Sequence, residues 1–182
     1  MNNEKDNVYD LVEDFYAHDE GWNTLLRQEY AEGFLRMEAW KGKKNSDLYR
    51  SWDNLTMLCL YLGSAETFLG DMNADDFIDC IAWCGRNISE FTPDYKNTQD
   101  FLETCDGLFK YLKGKNAISN DTVPATAAEI LLQEGKMNII LPDGSFDEAN
   151  AERAWNATPD IPAKIFLNIG ERLQELLEVL HR

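Results

Sequence analysis

The sequence predicts a mainly α-helical bundle with one small β-hairpin, near residues 136–146. Apolar residues recur three and four positions apart in nearly every segment of the 182-residue chain, which is the period of a helix buried on one face. Glycines, prolines and capping residues stand where these segments begin and end. An apolar fraction of 44% indicates that the chain folds around a core.

Three helices are predicted in the first part of the chain. The first covers residues 6–19, and the second covers residues 24–40, with Asn23 as its cap and Gly42 as its stop. A polar loop comes next, and the third helix is expected to end at Gly63. Each segment has an apolar stripe at helical spacing, so each helix is expected to bury one face.

Two more helices are predicted in the middle of the chain. Asn73 is expected to cap the first, and Gly85 is expected to end it. The second is expected to open at Thr92, with Pro93 at the first helical position, where a missing N–H leaves no hydrogen bond unmade. Gly114 is expected to end this long helix.

The last third of the chain mixes helices with a turn. A short helix is predicted over residues 125–134. The run MNIIL is rich in β-formers and precedes a Pro-Asp-Gly turn, so residues 136–146 are predicted to form a small hairpin, or a lone strand and turn. Two further helices are predicted over residues 147–155 and 163–180.

The final predicted helix has one broad apolar face, which must be buried against another surface. That surface is either its own domain or a second copy of the chain, or else a protein partner. The residues that would make a contact with a partner are Ile165, Ile169, Leu173, Leu176 and Leu180. Trp22, Trp40 and Trp155 are further candidate contact residues, although most of these aromatic side chains are expected in the core.

The chain is strongly acidic, with 33 Asp and Glu against 17 Lys and Arg, and its formal net charge is −16. The excess is spread along the chain, so its field repels phosphate backbones and argues against a nucleic-acid partner. Two short basic spots interrupt it, and both are expected to be solvated surface: Lys41, Lys43 and Lys44, and Lys110, Lys113 and Lys115.

The polar N-terminus and the lack of a long apolar run predict a cytoplasmic protein that does not enter a membrane. Four cysteines are then expected to be reduced, and they fall on the apolar stripes of predicted helices: Cys59, Cys80, Cys84 and Cys105. The two histidines, His18 and His181, lie near opposite ends of the chain. We therefore expect no catalytic residues, no cofactor and no metal site.

In two stretches in the middle of the chain, apolar and charged residues are spaced as in a known protein domain. The first comprises Leu69, Asp71, Met72, Asp75, Phe77 and Ile78, and the second comprises Leu108, Phe109, Tyr111, Leu112, Lys113 and Ile118. With these stretches, residues 47–121 resemble the N-terminal core-binding domain of tyrosine recombinases and phage integrases. The resemblance implies a SAM-like four-helix bundle for this segment.

The same segment departs from that family in its charge and in the length of chain after it. Recombinases clamp DNA with basic residues, whereas residues 51–120 carry 11 Asp and Glu against 5 Lys and Arg. The 61 residues after Asp121 are too few for the recombinase catalytic domain. The resemblance therefore implies the fold without the catalysis. Any remaining DNA contacts would come from Lys96, Lys110, Lys113 and Lys115.

We accordingly expect three regions: a helical pair over residues 1–46 that packs on the core, the core-binding-like bundle over 47–121, and a C-terminal region over 122–182. The leading functional hypothesis is a non-catalytic binding or adaptor protein that acts through protein–protein contacts. The alternatives are a nucleic-acid-linked protein, either a DNA binder or an acidic DNA mimic, and an enzyme that uses acids or a metal. The metal ligands in that last case would be Asp10, Glu13, Asp14 and His18.

Overall fold

The computed structural model describes residues 8–18, 25–137 and 149. Within these residues the chain forms six α-helices and one turn of 3-10 helix, and no β-strand. The helices are α1 (Val8–His18), α2 (Gln28–Trp40), α3 (Asn45–Ala65), α4 (Ala74–Asn87), α5 (Tyr95–Gly114) and α6 (Val123–Gln133), and the 3-10 turn is Leu69–Asp71. The predicted mainly α-helical fold is therefore confirmed.

The chain forms two compact units, which divide between Leu60 and Tyr61, inside α3. The described part of the first unit comprises residues 8–18 and 25–60, and that of the second comprises residues 61–137 and 149. The predicted boundaries after residues 46 and 121 stay predictions.

The core of the first unit is built on aromatic side chains from α1 and α3. The Trp52 ring packs edge-on against Phe15, with 5.3 Å between ring centroids, and its centroid lies 6.5 Å from that of Tyr16. The Tyr16 hydroxyl donates a hydrogen bond to the carbonyl oxygen of Leu26. α2 adds Phe34, which is fully buried. Aromatic burial of this size is a major source of stability in a small core.

The core of the second unit lies where α4, α5 and α6 meet, since α6 packs on both of the other helices. Phe77 of α4 and Phe109 of α5 pack edge to face with their ring centroids 5.3 Å apart. Tyr61 and Trp83 make a second such pair at 6.0 Å. The capping box at the start of α4 is complete: Asn73 accepts from the backbone N–H of Asp76, and its own N–H donates to the Asp76 carboxylate. The predicted Asn73 cap is confirmed.

Two predicted helix starts are wrong. The helix predicted over residues 24–40 begins at Gln28, because Arg27 has extended backbone angles (φ −60°, ψ 136°) that no helix accommodates. The long helix α5 is capped by Asp94 and not by Thr92, since the Asp94 carboxylate accepts the backbone N–H of Asn97. Aspartate and threonine are both good caps, and the sequence pattern did not separate them.

The predicted end of α4 at Gly85 is also wrong, because the helix continues to Asn87. Gly85 instead lies inside the helix, next to the ring of Pro93. Gly42 and Gly135 do end helices, and both have the positive φ that favours glycine, at +85° and +68°. Their predicted roles as stops are confirmed.

Several predictions fall beyond the part of the chain that is described. Of the predicted hairpin over residues 136–146, Lys136 and Met137 are described and are in no strand, and the rest lies outside the described residues. The helix predicted over 163–180 lies wholly outside them, and of the helix predicted over 147–155 only Ala149 is described, in helical conformation. Among the described helices, none is both long enough and apolar enough to cross a membrane.

Candidate functional site

The candidate site is the end of α2 and the turn after it. We call it the α2 corner and define it as Glu38, Trp40, Lys41, Lys43 and Lys44. A Schellman motif shapes its backbone: the N–H of Lys43 donates to the carbonyl of Glu38 over 3.3 Å, and that of Gly42 donates to the carbonyl of Ala39 over 2.9 Å. The left-handed φ of Gly42 makes both bonds attainable.

Glu38 is the central residue of the corner. Its side chain is only 7% exposed, and each of its carboxylate oxygens accepts a hydrogen bond from a lysine. Oε1 lies 2.9 Å from Lys41 Nζ, and Oε2 lies 2.6 Å from Lys43 Nζ. Burial raises the pKa of this carboxyl, but the hydrogen bonds from Lys43 and Lys41 outweigh burial, so the pKa of Glu38 is lowered. Glu38 is therefore a buried carboxylate held ionised by two partners.

The ion pair between Glu38 and Lys43 occupies a defined place in the helix-end motif. The last residue of α2 is Trp40, so Glu38 is the third residue from the helix end. Lys43 is the residue directly after Gly42. Schellman motifs often have an apolar contact between these two positions. Here an ion pair makes the contact, so charge and not apolar packing ties the turn to the helix.

Trp40 is the most exposed large apolar side chain among the described residues, with 91% of its surface accessible. Trp52 and Trp83 are buried by contrast. Tryptophan is highly buried on average, and an exposed indole is a strong contact group for a partner. Its position on the last turn of α2, directly before Lys41, places it beside the ion-paired lysines in the chain.

The lysines of the corner retain hydrogen-bonding capacity. An ammonium group has three N–H donors, and the Glu38 contacts engage one from Lys41 and one from Lys43. The side chains of Lys41 and Lys43 remain 57% and 40% exposed, and Lys44 is exposed as well. The corner therefore combines an accessible apolar ring with positive groups, which suits an apolar side chain that has an anion next to it.

The sequence indicated Trp40 of this site but not the ion pairs on Glu38. Trp40 is a candidate contact residue there, whereas the spot formed by Lys41, Lys43 and Lys44 is expected to be plain solvated surface. All three lysines are exposed, as expected, and two of them also pair with a buried carboxylate. The signal in the sequence was the spacing of Glu38 and Lys43 about a glycine that ends a helix.

Of the four lysines predicted as nucleic-acid contacts, Lys96 lies apart from the other three. Lys96 is in the first turn of α5, and Lys110 lies fourteen residues on, which is about 21 Å along a helix axis. Lys110 pairs with Asp106 at 2.6 Å, Lys113 donates to the Ser119 carbonyl oxygen, and Lys115 lies over the Tyr111 ring. A DNA contact from these residues stays a prediction.

The candidate metal ligands belong to α1, where Asp10, Glu13 and Asp14 are exposed, and the side chain of His18 lies outside the described residues. In the part of the chain that the structure describes, no three His, Cys, Asp or Glu side chains are grouped so that they could hold a metal ion. The predicted contact residues outside that part are Ile165, Ile169, Leu173, Leu176, Leu180, Trp22 and Trp155.

All four cysteines are free and buried, as predicted. Burial raises the pKa of Cys59 to about 12. Burial also raises the pKa of Cys80, and a hydrogen bond with Cys84 adds to it. A thiol with a raised pKa is mostly protonated near neutral pH and is a poor nucleophile. The cysteines therefore act as small apolar core residues.

No protein-family model matches the chain, and no curated protein or solved structure matches it at a significant level. The resemblance of residues 47–121 to the core-binding domain of recombinases therefore stays a prediction.

Proposed function

We propose that the protein is a non-catalytic binding or adaptor protein that acts through protein–protein contacts, and that the α2 corner is one of its binding surfaces. The observation that carries the proposal is the 91% exposure of Trp40 on a turn whose backbone is fixed by two hydrogen bonds. Binding energy in protein interfaces is concentrated in a few residues, and tryptophan is among the most enriched of them.

The rigidity of the corner supports this role. A contact residue on a mobile segment loses conformational freedom when it binds, and that loss reduces affinity. The helix positions the backbone of Trp40, and the Schellman motif with the pairs on Glu38 fixes the next three residues. The backbone that carries the ring is therefore ordered before a partner binds, which lowers the entropic cost of binding.

The test compares Trp40→Ala with a matched control, Leu132→Ala. Leu132 is also an exposed large apolar residue, at 51%, but it lies at the end of α6. Proteins captured by the intact chain from its native cell extract are identified, purified and titrated against each variant by calorimetry. Trp40→Ala should weaken a direct, saturable interaction about tenfold or more, as expected for a hot-spot residue, and Leu132→Ala should not.

Circular dichroism and thermal melting provide the folding control, because removal of an exposed ring should leave both unchanged. Equal affinities for the intact chain and Trp40→Ala, across every partner that binds directly, would rule out the α2 corner as the binding surface.

A further inference from the structure

We propose that the α2 corner recognises an acidic segment of a partner protein, in which an apolar side chain is flanked by carboxylates. This inference rests on the proposed function and names the chemistry of the partner at the same site. Trp40 would cover the apolar side chain, and the lysines that follow it in the chain would pair with the carboxylates.

The local charge of the corner favours an acidic partner. Three lysines occur within four positions, and two acids, Glu38 and Asp47, flank them in the chain, so residues 38–47 carry a formal net charge of +1 in a chain of formal net charge −16. Exposed charges are screened beyond about 8 Å at physiological ionic strength. A bound segment therefore experiences the lysines at the corner more than the acids spread over the rest of the molecule.

The geometry of two of these lysines favours a carboxylate ligand as well. Lys41 Nζ and Lys43 Nζ contact the two oxygens of one carboxylate, which holds the two ammonium groups next to each other. Because Glu38 is buried, its position is set by the helix and not by the solvent. The ammonium groups are thus partly ordered before a ligand arrives, which lowers the entropic cost of pairing them with a carboxylate.

Nucleic acid could also bind the α2 corner, because its phosphates pair with lysines and its bases stack on an indole. The small number of lysines favours an acidic protein segment over nucleic acid. Binding to a phosphate backbone depends on many Lys and Arg contacts along the strand. The corner offers three lysines, flanked in the chain by Glu38 and Asp47, on a strongly acidic chain. A short segment with two or three carboxylates fits this limited charge, whereas a long polyanion meets repulsion beyond it.

The test uses fluorescein-labelled synthetic peptides and the full chain, with fluorescence anisotropy as the readout. One ten-residue peptide has a central Leu-Phe pair flanked on both sides by Glu, and its match has Gln at each Glu position. A single-stranded oligothymidylate of similar length is the third probe. The acidic peptide should bind at least tenfold more tightly than its Gln match and than the oligothymidylate, and its affinity should fall as salt increases.

Two lysine variants distinguish charge recognition from loss of folding. Lys44→Gln leaves Glu38 and both of its partners in place, and it should weaken acidic-peptide binding about three- to fivefold, as expected for an exposed charge pair. Lys41→Gln with Lys43→Gln should weaken it more, with thermal melts run alongside because Glu38 then loses its partners. The Gln peptide should respond to neither change.

Three results would overturn the inference. Equal binding of the acidic and Gln peptides would leave Trp40 as an apolar contact without charge recognition, and the proposed function would survive. Tighter binding of the oligothymidylate would assign the corner to nucleic acid. Self-association in sedimentation experiments that Lys44→Gln abolishes, without peptide binding, would assign it to a second copy of the chain. Failure of the proposed function would show separately, as partner binding that is indifferent to Trp40→Ala.

Discussion

Gly85 of α4 lies so close to Pro93 that a Cβ atom on the glycine would come within 2.4 Å of the proline Cγ. Replacement of an interior helical glycine by alanine ordinarily stabilises a helix by up to about 1 kcal/mol. Here the new methyl group would overlap a rigid ring, and overpacking of this kind costs roughly 1–3 kcal/mol. Gly85→Ala should therefore lower the free energy of unfolding, measured by urea denaturation.

Gly114→Ala is the matched control, because a Cβ atom at that helical position would meet nothing within 4 Å. It should be neutral or slightly stabilising, by about 0.5 kcal/mol. Equal stabilisation by both substitutions would show that Pro93 moves aside freely and that the close approach carries no constraint.

Glu38→Gln tests the ion pairs of the α2 corner. The substitution keeps the shape of the side chain and removes the charge that two lysines share, so we expect a loss of about 1–3 kcal/mol. Because the folded-state pKa of Glu38 is lowered, its contribution to stability is present above the unfolded-state pKa and disappears as the pH falls through the folded value.

The measurement is the melting temperature of the intact chain and of Glu38→Gln across the acid range. The difference between them should be large near neutral pH and should shrink as the pH falls below the ordinary glutamate range. A difference that is constant with pH would mean that the substitution disturbs packing and not charge.

The contribution of Asp53 to the stability of the fold depends on pH in the opposite sense to that of Glu38. Burial raises its pKa to about 7, and the nearby Arg50 lowers it only in part. The folded state therefore binds a proton more tightly than the unfolded state, so stability from this residue is greatest in acid and is lost as the pH rises toward about 7. Asp53→Asn should remove this loss and raise the melting temperature at pH 8 more than at pH 4.

Asp71→Asn serves as the control, because Asp71 is exposed and should show no such difference between the two pH values. If Asp53→Asn were to destabilise the protein at pH 8, then the ionised carboxylate would be making favourable contacts, and the raised pKa would be wrong.

The four buried thiols give a prediction about reactivity. Ellman's reagent reacts with thiolates that it can reach, and all four thiols are buried, while burial also raises the pKa of Cys59 and Cys80. In the native protein all four should react slowly, at rates set by local opening, and in guanidinium chloride all four should react at once. A fast phase of one thiol in the native protein would identify a cysteine whose burial is only transient.

The helices could largely be predicted from the sequence, because their signals are local. The apolar stripes indicated the presence of each described helix, and the ends at Gly42 and Gly135 followed from the backbone freedom of glycine. The start of α5 could not be predicted, since Thr92 and Asp94 are both good caps. The position of Gly85 inside α4 depends on a contact with Pro93, which only the folded chain brings close.

The candidate site, like the helices, could be predicted only in part from the sequence. The spacing of Glu38, Gly42 and Lys43 is a local pattern and could have indicated that a carboxylate and a lysine meet across the helix end. The sequence offered Trp40 as one of three candidate contact residues but could not show which of them is exposed, because tryptophan is usually buried in large part. Exposure of a ring depends on what the remainder of the chain leaves uncovered.

The ion pair between Glu38 and Lys43 at the end of α2 limits which residues can replace either partner. A contact between the side chains at positions 38 and 43 frequently accompanies this backbone motif, and an apolar pair is the common way to make it. A change of one partner alone leaves either a buried charge or an unmatched apolar group. The two positions should therefore vary together across natural variants of this chain, exchanging an acid and a base for two aliphatic residues, while position 42 stays glycine or asparagine.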